Sequence, residues 1–259
     1  MTQHVPGLGL PVLVLLIALG YEWQSLRVAG WSAWRGAAFQ TGAAVLIVGL
    51  VLPVHDFTGH ALQHLLAAMV APLGLVLGAP VTLLLRTLPV RTARRLTRLL
   101  RSRPARAVTH PVVALLLTTG GLVALYLTPL YARMLTDPAL HQLVTIHFVL
   151  SGCLFAWVVA GADPAPHRPS VPARLVLLGV AIAAHATLSQ LLYAGAYVQI
   201  PATVADRQAG ATLMYYGGDV AELLLAFAVV QSRATTRKVS SFGSAASGRV
   251  MPAASPLRR

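Results

Sequence analysis

Apolar residues in this chain fall into long continuous runs, not into the alternating or one-faced patterns of half-buried strands and surface helices. Seven runs stand out, at about residues 8–23, 36–52, 60–85, 108–127, 140–160, 172–200 and 211–230. A bilayer-crossing helix needs about 17–25 such residues. The pattern therefore predicts an all-α, polytopic membrane helical bundle with seven transmembrane helices. Tyr21 and Trp23 close the first run, and Trp31 and Trp34 precede the second, as interfacial aromatics do. The third run is interrupted by Pro72 and by Gly78-Ala79-Pro80. Such breaks kink a span, and neighbouring groups must satisfy the freed carbonyls. No internal repeat is visible.

Charge adds the orientation. Only 10% of the residues are charged and 56% are hydrophobic, against about 25% charged in a soluble domain. The net charge of +13 does not mark a nucleic-acid binder, because the arginines are not interleaved with aromatics and lie between the spans. Arg27 and Arg35 follow the first run. Arg86, Arg91, Arg94, Arg95, Arg98, Arg101, Arg103 and Arg106 follow the third, and Arg168 and Arg174 follow the fifth. The remaining basic residues follow the seventh run, and the opposite side holds Arg133 and Arg207 alone. The positive-inside rule then places the N-terminus outside and the C-terminus in the cytoplasm. Leu96, Leu99 and Leu100 alternate with Arg91, Arg94, Arg95, Arg98 and Arg101 at helical spacing, which predicts an interfacial helix on anionic lipid. Residues 1–232 form the membrane domain. Residues 233–259, rich in Ser, Ala, Gly and Pro, read as a disordered basic cytoplasmic tail. No Lys or Arg precedes Arg27, so the first run reads as a retained span without the basic region of a cleaved signal. Cys153 is the single cysteine, which excludes an intrachain disulfide.

The candidate chemistry lies in the histidines. His60 and His64 are four apart, so a helix carries both imidazoles on one face. By the predicted orientation His55, His60, His64, His141, His147 and His4 lie toward the outer side. His110 and His167 are cytoplasmic, and His185 is near mid-membrane. Imidazole suits copper, zinc and haem iron, and a thioether adds a preference for Cu(I). His60, His64 and His147 would supply three nitrogens, with His141 or a methionine as a fourth donor. The competing reading for each is packing, since membrane histidines also hydrogen-bond neighbouring helices. Asp219 and Glu222, three apart and roughly 12–17 Å from the start of the last span at 1.5 Å per residue, must face the bundle interior, where His185 is a partner by depth. Tyr126, Met69, Met134, Met214 and Cys153 would add polar or soft groups. The chain carries no nucleophile elbow, phosphate loop or His-Glu-x-x-His, so ordinary enzymatic catalysis is not expected. Three readings remain at this level. One is transient metal holding. Another is transport of copper or protons along His60, His64, His185, Glu222 and Asp219. The third is electron transfer by a haem held between two histidines such as His64 and His147.

Several stretches, in order, resemble the CtaG family of cytochrome c oxidase assembly proteins. They include His60-Ala61-Leu62-Gln63-His64-Leu65-Leu66, Ala71-Pro72-Leu73, Leu77-Gly78-Ala79-Pro80-Val81-Thr82 and Tyr126-Leu127-Thr128-Pro129-Leu130-Tyr131. His147-Phe148, Asp163-Pro164, His185, Asp206-Arg207-Gln208-Ala209-Gly210 and Gly218-Asp219 extend the likeness over roughly residues 10–232. Ala61 stands where the family commonly has methionine. The resemblance implies a bacterial plasma-membrane protein that matures the haem-copper oxidase, with oxidase subunits as partners and copper as a transient ligand at the outer face.

Overall fold

The computed structural model describes residues 8–163 and 169–247, with side chains described to residue 231. These residues are helical throughout their ordered elements, with no strand among them. Six helices are long and apolar enough to cross a membrane, the build of a multi-pass membrane protein. They are α1 (Gly9–Arg27), α2 (Ala33–Val51), α3 (Phe57–Leu77), α9 (Pro138–Ala160), α10 (Val171–Ala194) and α11, whose crossing part is Val204–Gln231. Between α3 and α9 come α4 (Pro80–Thr87), α5 (Val90–Leu100) and α6 (Arg103–Val108). They are followed by the shorter apolar helix α7 (Pro111–Leu127) and by α8 (Leu130–Met134). The fourth predicted span is thus α7, shorter than the other six. α11 continues to Ser247, into the stretch that the sequence assigns to a tail. Residues 248–259 of that tail, and also His4, His167 and Arg168, lie outside the described residues.

Three boundaries differ from the sequence reading, each for a local reason. The third span ends at Leu77 and not at Leu85, because Ala79 adopts a left-handed conformation (φ 52°) that no helix continues through. Tyr21 from α1 donates its hydroxyl to the Gly78 carbonyl at 2.7 Å, which holds the break in place. The sixth span ends at Ala194 and not at Ile200, capped by Gly195 in the left-handed region (φ 73°). Arg207 Nε donates to the Leu192 carbonyl at 3.0 Å and covers that end. The seventh starts at Val204, seven residues earlier than 211, with Asp206 in its first turn, where a carboxylate suits the helix dipole.

Two carboxylates fasten helix starts that lie far away in sequence. Asp206 accepts hydrogen bonds from Phe57 N (2.9 Å), Thr58 N (3.0 Å) and Thr58 Oγ1 (2.7 Å) at the start of α3. Asp163 accepts from Val81 N (2.9 Å), Thr82 N (2.7 Å) and Thr82 Oγ1 (2.6 Å) at the start of α4. The two latches share one bond pattern, two successive backbone amides and a threonine hydroxyl on one carboxylate, and sit at opposite ends of the bundle. Each satisfies backbone donors that a helix start leaves open.

α10 packs along α11, and α3 runs between α2, α9 and α11. At the Asp206 end the core is Phe57, Tyr126, Tyr131, Met134, Leu188 and Met214. At the other end it is Val76, Phe155, Val158, Leu178, Leu225 and Val229. α9 and α3 pack closely at Gly152, where an added Cβ would fall on the Ala68 carbonyl oxygen. Gly152→Ala is therefore expected to push α9 off α3 and to cost about 3 kcal/mol, the upper range for overpacking. Thermal unfolding of the purified variant beside the parent checks this.

Candidate functional site

The site starts from the latched first turn of α3. Asp56 caps that helix through Gly59 N at 2.7 Å, and Asp206 holds Phe57 and Thr58 from across the bundle. His60 and His64 follow on one face, both buried. His60 lies inside an aromatic wall. Its ring meets Tyr131 edge-on at 5.0 Å and Tyr126 edge-on at 6.1 Å, with Phe57 6.3 Å away. Neither nitrogen of His60 has a hydrogen-bond partner, and the buried Tyr126 hydroxyl has none either. His141 of α9 is near enough to interact with it electrostatically. Burial, followed by the negative charges of Asp206 and Asp56, holds the Tyr131 phenol above its ordinary range, so it stays a neutral donor beside this wall.

One turn on, the imidazoles part company. His64 meets Phe148 edge-on at 4.9 Å and lines an internal cavity of about 60 Å³. His185, Glu222, Met69, Thr118, Thr119 and Ser151 line the same cavity. His64 interacts electrostatically with His185 and with His60, so the cavity stands next to the aromatic wall. Two π-helical turns flank it: Leu65–Val70, directly after His64, and Leu116–Gly120 in α7. Such turns are rare and recur at functional sites. His185 Nε2 and Glu222 Oε2 have no hydrogen-bond partner although both residues are more than nine-tenths buried. The His185 ring lies so close to α11 that a Cβ on Gly218 would overlap it.

The sequence-predicted residues thus divide. His60 and His141 are brought together, and His64 joins His185 and Glu222. His147 is engaged elsewhere: its Nε2 bonds the Leu117 carbonyl at 3.2 Å, and its ring meets Phe148 edge-on at 5.4 Å. Among the described residues no three His, Cys, Asp or Glu side chains gather closely enough to hold a metal ion. A preformed three-nitrogen centre of His60, His64 and His147 is therefore not assembled. His64 and His147 both pack edge-on against the ring of Phe148. Asp219 is half-buried one turn before Glu222, and the two interact. His55 is exposed, and His110 caps α7 by accepting from Val112 N at 3.3 Å. Met134 and Met214 are buried in the core that includes Phe57, Tyr126 and Tyr131, whereas Cys153 packs in the opposite half. Arg91, Arg94, Arg95, Arg98 and Arg101 are all exposed on and just after α5.

Sequence reasoning missed the walls of the site. Tyr131 and Phe57 carry no chemical signature, and the Asp206 and Asp163 latches join residues 148 and 81 positions apart. A lone acid in a short connection and a threonine in the first turn of a distant helix were the available signals.

Known proteins align with most of this architecture. A family model described as cytochrome c oxidase caa3 assembly factor matches residues 12–235. An uncharacterised Mycobacterium bovis protein is 35% identical over 188 residues, which cover 66% of this chain and 28% of that protein. A Mycobacterium tuberculosis counterpart gives the same figures, and one from Mycobacterium leprae is 32% identical over the same length. The aligned stretch is thus under a third of each curated relative's length. No solved structure matches the chain.

Proposed function

This chain belongs to the cytochrome c oxidase caa3 assembly factor family, and from that premise we propose that it hands copper to the nascent oxidase at the outer face of a bacterial plasma membrane. The role is non-catalytic: copper is cargo, held and released. The observation that carries this reading is His60, a buried imidazole with both nitrogens unpartnered, on a helix whose start is latched by Asp206. Buried polar groups are normally hydrogen-bonded, so an orphaned imidazole beside a second one, His141, suits an intermittent occupant. Two imidazoles leave open coordination positions, which favours release. His64, one turn deeper, is the next donor on the same face. His147 would join only by giving up its bond to Leu117.

In this reading α7 also crosses, fourth in chain order, and brings the spans to seven, with its 17 residues at the lower limit for crossing. The ends then alternate, so that the His60 end faces outward, as the distribution of arginines supports. The arginines of α5 rest on anionic lipid of the cytoplasmic leaflet, with Val90 and Leu99 exposed to the acyl layer. Oxidase subunits are the partners.

Two measurements test the proposal. A strain lacking the protein should lose haem-copper oxidase activity and recover it with the gene restored. The purified chain loaded with Cu(I) should retain stoichiometric copper and show no Soret band. Copper-free protein after loading would leave a scaffold for the oxidase, and a Soret band would make it a haem protein.

A further inference from the structure

We propose that the cavity between the two π turns is a water-binding site, in which ordered water bridges Glu222 Oε2 and His185 Nε2. Three observations converge on it. The cavity, of about 60 Å³, exceeds the roughly 10–15 Å³ that one water requires. Its lining carries enough polar partners, because the two unpartnered atoms, Glu222 Oε2 and His185 Nε2, both belong to residues that line it. The backbone around it is also unusual, since π turns in α3 and α7 bound it on two sides.

The remaining polar groups explain why water and not protein fills the gap. The Thr118 and Thr119 hydroxyls donate to carbonyls one turn back, at Ala114 (3.1 Å) and Leu115 (2.8 Å), and Ser151 donates to Phe148 O (3.2 Å). Their hydrogens are committed, but each oxygen keeps lone pairs that can accept from water. No lysine or arginine lines the cavity, so Glu222 has no ion-pair partner there. A carboxyl group at this depth is costly without hydrogen bonds. Water supplies them and ties α10 and α11 to α3 and α7. The inference needs no metal and stands apart from the copper reading.

The chain has only two glutamates, Glu22 and Glu222, so ¹³C-glutamate labels the site almost uniquely. The test is water-edited solid-state NMR of the full chain in lipid bilayers, in a Glu22→Gln background. The Glu222 carboxyl carbon is expected to receive magnetisation from water as fast as the Glu22 carboxyl does in the unsubstituted chain. Glu222→Gln should keep that transfer, read at the side-chain amide. Transfer no faster than to the methyl groups of Leu178, which is buried in the core but does not line the cavity, read in a ¹³C-leucine-labelled sample, would mean a dry cavity and overturn the proposal. If Glu22→Gln folds poorly, resolving both carboxyl signals in the unsubstituted chain decides the same question.

Discussion

Replacing His60 and His64 together by alanine is expected to bring oxidase maturation down to the level of a strain lacking the protein, with the fold retained. The His60 nitrogens make no hydrogen bonds, so His60→Ala breaks none and removes a buried polar group that nothing satisfies. What is lost is ring packing against Tyr131, Tyr126 and Phe148, roughly 1–3 kcal/mol for an ordinary core truncation. The functional loss should therefore far exceed the structural one. Oxidase activity in membranes, copper per purified chain and the thermal transition are measured on the same preparations. His147→Ala is the control: it gives up the bond to Leu117 O, worth about 1 kcal/mol, and should leave maturation intact. A double variant that matures oxidase normally removes the histidines from the mechanism.

Asp206→Ala should be the most destabilising single change at the start of α3, at about 3 kcal/mol. It removes the acceptor for Phe57 N, Thr58 N and Thr58 Oγ1. These bonds end on a carboxylate, and hydrogen bonds to charged groups contribute about 1.5–3 kcal/mol, with a helix cap alone near 1. Asp206→Asn keeps one acceptor oxygen and should lose about half as much. Hydrogen exchange separates a local effect from a global one. With alanine at 206, the amides around Gly59 and His60 should exchange faster, while those around Thr82 stay protected by Asp163. The matching change, Asp163→Ala, should reverse that pattern. Equal loosening of both ends would show that neither latch acts locally.

The hydrophobic runs disclosed the helices because crossing length is set by bilayer thickness and needs no tertiary context. The ends of the helices were less legible. Gly78-Ala79-Pro80 marked a break, but only the left-handed Ala79, held by the Tyr21 hydroxyl, shows that the span stops there. Asp206 fell between the sixth and seventh predicted runs and proves to lie in the first turn of α11, with partners 148 and 149 positions earlier that no local pattern discloses. For the site, four-residue spacing placed His60 and His64 on one face. It did not reveal that they serve two compartments. His60 sits within Phe57, Tyr126 and Tyr131, and His64 opens onto the cavity with His185 and Glu222. That division depends on which neighbours each ring meets, on the π turn after His64, and on Phe148, which meets both His64 and His147. Spacing within one helix carries none of this.

The two latches also set an order of events during synthesis. A ribosome delivers Val81 82 positions before Asp163, but Phe57 149 positions before Asp206. The arginine-bearing end can fasten earlier, whereas the start of the histidine helix has only its own Asp56 cap until Asp206 is made. The latch itself closes only when α11 arrives. A nascent chain cut before Asp206 would thus present the start of α3, and His60 just after it, without the bonds to that carboxylate.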